Sequence, residues 1–538
     1  MPAASTSIDS TFAAALECQR AGRPEEAERL CWQILVADPD HADTLHLLGV
    51  VVHHAGRKEL GMGLVGQAIA LRPGVAIYHF NYGNMLGESG QLEASVASYQ
   101  RALALDPGFT IAQSNLAHAL GQLGRIEEAV AIGWQALQLG GETAAALHTL
   151  GNLLWQVGRL DDSVECCRRA VALEPDNAEA NNILGIALRQ QGALEEALAC
   201  ARKAVACKPD LPEAHSNLAM ALLAHGEFAE GWAEYEWRWQ TSGMQPVARG
   251  FAQPQWRGEP AAGRTLLVHA EQGYGDSLQF CRLAPLAATR GLRVILEVPA
   301  ALARLVATLA GVEQVVVQGE KLPPFDLHCP MLSLPMALGT TIETIPASAS
   351  YLHADPAQAA RWRARLAGDG PWVGLAWAGN PRPNSPGGAA LDRRRSIAPE
   401  LLSPLFAVPG VRFVSLQKGG PPPPPGAPLL DAMDEMRDFC DTASLLTNLD
   451  LVITVDSAVA HLAGALGRPV WLLDRYDCCW RWLLGRRDSP WYPQLRIYRQ
   501  PRPSDWDAVI AEVAGDLRML AKPDDLRLPV AAGNPYGY

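Results

Sequence analysis

The sequence lacks an excess of basic residues. Lys and Arg together number 45 and Asp and Glu number 57, which leaves a net charge of -12 over 538 residues. A surface that follows nucleic-acid phosphates needs clustered positive charge, and this balance does not supply it. General nucleic-acid binding is therefore excluded, and we expect no nucleic-acid partner.

The chain also has no run of about eighteen apolar residues, which excludes a conventional transmembrane helix. None of its 11 cysteines forms the Cys-x-x-Cys spacing of common zinc and redox motifs. The first residues show no basic region followed by an apolar one, so no secretory signal is predicted. We expect a cytoplasmic protein with buried thiols and no transmembrane segment, for which peripheral membrane association stays open.

Glycine recurs at a fixed interval in the first part of the chain. The spacing is 34 residues, at Gly22, Gly56, Gly90, Gly124, Gly158, Gly192 and Gly226. Alanine has the same period at Ala68, Ala102, Ala136, Ala170 and Ala204. This pattern predicts antiparallel helix pairs that touch through small residues, with glycine ending the first helix of each pair. It resembles the tetratricopeptide repeat over residues 8–240, which implies an α-solenoid whose groove binds a partner protein or an extended peptide.

Three asparagines occupy one position of this repeat, namely Asn81, Asn115 and Asn217. They resemble part of the asparagine ladder of O-linked N-acetylglucosamine transferases, which implies contacts to a bound peptide backbone. The other three positions hold Leu47, Thr149 and Ile183 and interrupt the ladder. Partner binding and a plain helix-surface role both stay open for the asparagines.

Beyond residue 240 the pattern changes. Residues 241–262 are broken by proline and glycine and are interpreted as a linker. Apolar runs then alternate with amphipathic stretches, first TLLVHA at 265–270, RVILEV at 293–298 and EQVVV at 313–317. A second group contains WVGLAWA at 372–378, VRFVSL at 411–416, DLVIT at 450–454 and PVWLL at 469–473. The alternation predicts two Rossmann-like α/β units, residues 263–368 and 369–520, and a disordered tail at 521–538.

One apolar run in the second group passes directly into a helix of small residues. DLVIT is followed by a turn at Asp456 and Ser457 and then by AVAHLAGALG. The backbone N–H groups of Ser457, Ala458 and Val459 would be unpaired at the start of that helix and suit a nucleotide diphosphate. In the alternative, Asp456 is only an N-cap and His461 is a core histidine.

Two stretches resemble glycosyltransferase family 9, the heptosyltransferases. TVDSAVAHLAGALGRPVWLL is similar to the nucleotide-binding motif of that family, in which an acid, two small residues and a histidine open the helix. HAEQGYGDSLQF is similar to its first strand-loop-helix, with a Gly-Asp pair at Gly275 and Asp276. The resemblance covers residues 263–520 and implies a GT-B-like fold, a nucleotide-sugar donor and Asp276 as the general base. Taken alone, Asp276 could also be a helix cap.

Further nucleotide contacts are predicted at Asn380 and Arg395, since the corresponding loop of the resembling families carries cationic phosphate contacts. Gln417 and Lys418 follow an apolar run at the level where nucleotides bind such sheets. The cluster of Trp480, Trp482, Trp491 and Tyr492 is interpreted as core. No metal-ligand spacing and no Asp-x-Asp pattern occur in the loops after the predicted strands, so no metal and no cofactor are expected.

These observations predict an α-solenoid followed by a GT-B-like pair of Rossmann-like units. We expect a metal-independent inverting glycosyltransferase that moves a sugar from a nucleotide-sugar to a hydroxyl of a protein or glycan acceptor selected by the solenoid. The alternative is a tetratricopeptide repeat scaffold whose second half is inactive or only senses nucleotide.

Overall fold

The structure is a computed structural model that describes residues 2–520 apart from 347, 349, 381–385 and 478. The predicted tail at 521–538 lies outside the described residues. The chain divides into two compact units, one ending at Ala187 and the other beginning at Leu188.

Consecutive helices build the first unit. They are α1 (Pro2–Arg20), α2 (Pro24–Ala37), α3 (Ala42–His54), α4 (Lys58–Leu71), α5 (Ala76–Glu88), α6 (Leu92–Leu105), α7 (Thr110–Gln122), α8 (Ile126–Gly140), α9 (Ala144–Gln156) and α10 (Leu160–Leu173). Helix α11 (Ala178–Gln190) begins in this unit and ends in the second.

The residue period explains the helix pairs. Each repeat glycine has a φ between 70° and 96°, a conformation that strains other residues. After Gly56, for example, the backbone N–H of Arg57 donates to the carbonyl of Val52, which satisfies a carbonyl at the helix end. The repeat alanines are at most 2% exposed, so the helices meet through them. The predicted pairing of helices is confirmed.

The second unit opens with α12 (Leu194–Cys207), α13 (Pro212–His225) and α14 (Phe228–Tyr235). A parallel sheet follows in the order β3-β2-β1-β4, with β1 (Thr265–His269), β2 (Arg293–Val298), β3 (Gln314–Val317) and β4 (Leu327–Pro330). Its helices are α15 (Tyr274–Phe280), α16 (Ala284–Thr289), α17 (Ala300–Val306) and α18 (Leu334–Leu338). We call this sheet and its helices the first lobe.

Helix α19 (Pro356–Arg365) leads to a second parallel sheet, in the order β10-β9-β8-β5-β6-β7. Its strands are β5 (Trp372–Ala376), β6 (Arg412–Ser415), β7 (Leu429–Leu430), β8 (Leu451–Val455), β9 (Val470–Asp474) and β10 (Leu495–Arg499). Its helices are α20 (Pro386–Arg395), α21 (Ser403–Phe406), α22 (Phe439–Leu446), α23 (Ala458–Ala465) and α24 (Trp506–Leu520). This second lobe has the strand order of dinucleotide-binding folds, and the order reverses between β5 and β8.

The predicted linker differs from the observed chain. Trp256 is fully buried, and its backbone N–H donates to the carbonyl of His328 at 2.8 Å. Gln255 forms an isolated parallel bridge with His328, beside the edge strand β4. Residues 241–262 therefore extend the first lobe instead of only connecting it, because a buried tryptophan anchors them.

The last repeats share a hydrophobic core with both lobes. Phe228 and Trp232 of α14 lie in the same buried cluster as Phe280 of the first lobe and Trp480 and Trp491 of the second. This grouping differs from the predicted end of the solenoid near residue 240, because the aromatic last repeat packs as part of the second unit.

Candidate functional site

The strand order brings two distant loops together at the carboxyl edge of the second sheet. Strands β5 and β8 are paired in parallel, with Val373 opposite Leu451. The loops that follow them therefore meet at the point where the strand order reverses, where ligands of such sheets bind. We call this place the switch point.

Helix α23 begins at the switch point, directly after β8. Ser457 is its N-cap, and the Ser457 hydroxyl accepts a hydrogen bond from the N–H of Val459 at 3.3 Å. The N–H of Val459 is thus not free as predicted, because the Ser457 hydroxyl accepts it, and a nucleotide contact by Val459 stays a prediction. The alternative that Asp456 is the N-cap is wrong for the same reason. The N–H groups of Ser457 and Ala458 precede the first helical hydrogen bond and suit an anion.

Arg395 spans the switch point. Its Nη1 donates to the carbonyl of Asp456 at 3.1 Å, and its Nε donates to Asp392 at 3.0 Å. A Cβ at Gly379, in the loop after β5, would overlap a guanidinium nitrogen of Arg395, so the loop backbone passes close to this side chain. Arg395 ends α20 and keeps 14% of its side chain exposed. It lies where a phosphate contact was predicted, and that role stays a prediction.

The three other polar residues predicted near this edge lie on its loops. Gln417 accepts hydrogen bonds from the N–H groups of Trp377 and Ala378 at 3.0 and 2.9 Å, which ties the loop after β6 to that after β5. Lys418 is exposed and donates to the carbonyl of Met436. Asn380 is exposed and directly precedes residues 381–385, which lie outside the described part of the chain. Nucleotide binding by these three residues stays a prediction.

Asp276 lies in the first turn of α15, at the contact between the lobes. One carboxylate oxygen accepts the N–H of Gly273 at 2.9 Å, which makes Gly273 the N-cap and Asp276 the third residue of the helix. The other oxygen forms an ion pair with Arg481 of the second lobe. Asp276 is therefore not the N-cap itself but bonds back to the N-cap residue from the third helical position, and its carboxylate also meets a cation from the opposite lobe. Its role as a base stays a prediction.

Helices α15 and α23 approach each other closely through Gly275. A Cβ at this position would lie 2.8 Å from the His461 ring and 3.6 Å from Cα of Ala458. His461 is 4% exposed, and its Nδ1 forms a hydrogen bond of 3.0 Å with the hydroxyl of Tyr492. Burial lowers the pKa of His461 to about 4, so the ring is neutral at pH 7. Gly275 and His461 thus join the lobes, and nucleotide contact by either residue stays a prediction.

Two charged residues near the predicted site were not predicted from the sequence. Arg481 lies between two tryptophans in a segment interpreted only as core, and Glu271 lies five residues before Asp276. Glu271 accepts the N–H groups of Met331 and Leu332 at 3.0 and 3.1 Å, beyond the end of β4. Burial raises its pKa to about 7 despite the nearby guanidinium of Arg238. For Arg481 the available signal was a charged residue within an otherwise apolar segment, and for Glu271 it was an acidic residue directly beyond a predicted strand.

The aromatic cluster is core, as predicted. Trp480, Trp482, Trp491 and Tyr492 are each at most 4% exposed. Trp482 stacks on His461 with ring centroids 5.3 Å apart. Trp480 packs against Trp232, and Trp491 packs against Phe280. These side chains are therefore packed in the core instead of offering an open platform for a sugar.

The asparagines of the repeat lie on the first helices of their pairs. The Asn81 amide donates to His46 Nε2 at 2.8 Å, and the Asn115 amide donates to Asn84 at 2.9 Å. Asn217 is half-buried on α13. Partner binding by these residues stays a prediction.

Among the described residues, no group of three or more His, Cys, Asp or Glu side chains has an arrangement that could hold a metal ion. None of the helices in the described part of the chain has the length and apolar character needed to cross a membrane.

Sequence comparisons agree with this division of the chain. Residues 83–124, 111–141 and 148–212 match models of the tetratricopeptide repeat. The N-terminal helices form a tetratricopeptide repeat solenoid. Residues 438–473 match the model of glycosyltransferase family 9 (heptosyltransferase), and they cover α22, β8, α23 and β9. The second unit thus contains a glycosyltransferase-like region.

A curated relative is Protein FlbA of Caulobacter vibrioides, which is 29% identical over 322 residues, or 54% of this chain and 52% of FlbA. The chain thus spans about half the length of this relative. Among solved structures, YrrB, described as a TPR protein with an unusual peptide-binding site, is 24% identical with a TM-score of 0.28 and covers 34% of this chain and 92% of its own. PilF of Pseudomonas aeruginosa is 18% identical with a TM-score of 0.37 and covers 39% of this chain and 96% of its own.

Proposed function

We propose that the second unit is a metal-independent, inverting glycosyltransferase that moves a sugar from a nucleotide-sugar to a hydroxyl group. The observation that carries the proposal is the family 9 match at residues 438–473, because it falls on the strand-turn-helix at the switch point. That turn offers backbone N–H groups and the start of a helix dipole to a diphosphate. Arg395 adds a positive charge beside it.

The chemistry assigns a role to each of these groups. The acceptor hydroxyl attacks the anomeric carbon, Asp276 takes the hydroxyl proton, and the bond from that carbon to the diphosphate oxygen breaks. The electron pair of that bond leaves with the nucleoside diphosphate. Its growing charge meets the N–H groups of Ser457 and Ala458 and the guanidinium of Arg395, in place of a metal ion.

The repeats have a separate task in this proposal. Tetratricopeptide repeats bind peptides and partner proteins in a groove, so we assign acceptor selection to them. Asn81 and Asn115 each use an amide N–H within the protein, and we assign their amide oxygens to contacts with the partner. The acceptor is a protein or glycan, and the reaction takes place in the cytoplasm.

The test compares two capping carboxylates. Asp276→Asn keeps the bond to Gly273 and removes the proton acceptor, so we expect transfer to fall by about 100- to 10,000-fold while nucleotide-sugar binding survives. Asp355→Asn is the matched control, since Asp355 caps α19 through the N–H groups of Ala357 and Gln358. Calorimetric binding and transfer are measured for both variants against a panel of nucleotide-sugars. Full transfer by Asp276→Asn would remove the base assignment.

One observation favours a second candidate, a repeat scaffold whose transferase-like half only senses nucleotide. Both oxygens of Asp276 have partners within the protein, Gly273 and Arg481. A carboxylate held in this way can serve packing alone. Wild-type protein that binds a nucleoside diphosphate but transfers no sugar to any acceptor offered would favour this candidate.

A further inference from the structure

Arg481 meets the predicted base, and its charge also acts on His461 of α23, one of the predicted nucleotide-site residues. It enters the contact between the lobes from the segment after β9 and pairs with Asp276 of α15. Its side chain is 11% exposed and that of Asp276 is 21% exposed, so solvent still reaches the pair. Burial opposes its charge, yet the Asp276 carboxylate keeps its pKa above the usual range.

Two buried donors close to Arg481 have no acceptor among the described residues. Its Nε donates to the Gln279 side-chain oxygen at 2.9 Å, and its Nη1 donates to the weak acceptor Sγ of Cys479 at 3.2 Å. The Gln279 amide nitrogen is fully buried and has no acceptor among the described residues. The indole N–H of Trp482, whose ring stacks on His461, is likewise without one in the described structure. Buried donors of this kind favour a ligand that brings oxygen atoms.

We propose that Arg481 binds the β-phosphate of the donor and that its guanidinium gives up the ion pair with Asp276 when it does so. The proposal rests on the proposed function. In the empty site the guanidinium neutralises Asp276, and in the donor complex it pairs with the diphosphate, which releases one carboxylate oxygen to accept the hydroxyl proton. The β-phosphate is the assigned group because its oxygen leaves the anomeric carbon, and the base must lie beside that carbon. A guanidinium suits this exchange because it binds carboxylates and phosphates through the same paired geometry.

The experiment separates the β-phosphate from the rest of the nucleotide. Dissociation constants of full-length protein are measured by calorimetry for four nucleoside diphosphates and the four corresponding monophosphates. Arg481→Gln is expected to weaken diphosphate binding by about 10- to 100-fold and to leave monophosphate binding within about twofold. Arg486→Gln is the matched control, because Arg486 belongs to the same segment and pairs with Asp488 away from Asp276. It is expected to change neither constant.

The possible outcomes distinguish this proposal from the proposed function. A wild-type protein that binds no nucleoside diphosphate contradicts the proposed function itself. If the wild-type protein binds a nucleoside diphosphate and Arg481→Gln binds it with the same affinity, only the role of Arg481 is contradicted. Equal losses for monophosphate and diphosphate show a merely structural role and also overturn it. If Arg481→Gln does not fold, Arg481→Lys replaces it in the test. Lysine keeps the positive charge but lacks the paired N–H groups of a guanidinium, so it is expected to weaken diphosphate binding and not monophosphate binding. Unchanged diphosphate affinity in this variant overturns the proposal.

Discussion

Gly275 lies where α15 meets α23, and its missing side chain sets the distance between the lobes. A Cβ there would lie 2.8 Å from His461, whose ring is fixed by Tyr492 and Trp482. We therefore expect Gly275→Ala to lower the free energy of unfolding by about 1–3 kcal/mol through overpacking. Gly515→Ala in α24 is the control, since nothing lies within 4 Å of its Cβ position. There the substitution should stabilise by about 0.5–1 kcal/mol. Thermal melts of both variants test this, and equal effects would contradict the close approach.

His46 provides a pH-dependent prediction in the repeats. Burial lowers its pKa to about 4, and the Asn81 amide donates to its Nε2, which requires the neutral ring. Since the ordinary histidine pKa is about 6.5, the unfolded chain binds more protons between these values. The contribution of His46 to stability is thus present above about pH 6.5 and is lost as the pH falls towards 4.

Asn81→Asp should raise the pKa of His46, because a carboxylate next to the ring favours its charged form. Titration of the His46 ring by NMR measures the shift directly. Asn115→Asp is the control, since Asn115 contacts Asn84 and should leave His46 unchanged. An unshifted His46 in Asn81→Asp would show that the two side chains do not meet in solution.

At the scale of single residues, sequence reasoning could locate the helix start at Ser457 but not the partner of Asp276. Ser457 and α23 follow from local signals, a buried strand, a capping residue and small helical residues. The pair of Asp276 with Arg481 joins residues 205 apart and depends on how the lobes pack. No local pattern encodes that contact, because periodicity reports only which face of an element is buried.

At the scale of elements, the central strands and the edge strand β3 were predictable, and the other three edge strands were not. β1, β2, β5, β8 and β9 are nearly or fully buried along their length and read as continuous apolar runs. β4 and β10 are edge strands with polar residues, LHCP and LRIYR. β7 has only two residues. One exposed side at an edge relaxes the demand for apolar residues, so such strands lose their sequence signal.

At the scale of the whole molecule, repeat periodicity assigns the last repeat to the solenoid, whereas in the structure this repeat packs into the core of the second unit. Trp232 donates its indole N–H to the carbonyl of Thr340 at 3.1 Å and packs against Trp480 with ring centroids 5.3 Å apart. Repeat periodicity is found from residues that successive repeats share. The last repeat packs an aromatic residue against the lobes, so it differs from the other repeats at that position. The aromatic residues of the last repeat, such as Trp232, were therefore the available sequence signal of a shared core.

This shared core predicts that truncation sites differ sharply in effect. A chain that begins at residue 243 loses α14, and with it Phe228 and Trp232, which are each 2% exposed. Removing a buried Phe or Trp side chain costs about 3–5 kcal/mol, and a typical domain is stable by only about 5–15 kcal/mol. We expect this chain to show no cooperative melting transition and no nucleotide binding.

A chain that begins at residue 176 keeps α11 to α14 and should melt cooperatively and bind nucleotide like the full-length protein, because the second unit begins at Leu188 and retains its core. Scanning calorimetry and titration with a nucleoside diphosphate compare the two truncated chains, and Trp232→Ala in the full chain isolates one contribution at about 3–5 kcal/mol. Cooperative melting with intact binding in the chain from residue 243 would mean that the lobes fold without the last repeats. The aromatic contacts of α14 would then belong to an interface between independent domains, and the repeats could be removed without disturbing the site at Ser457.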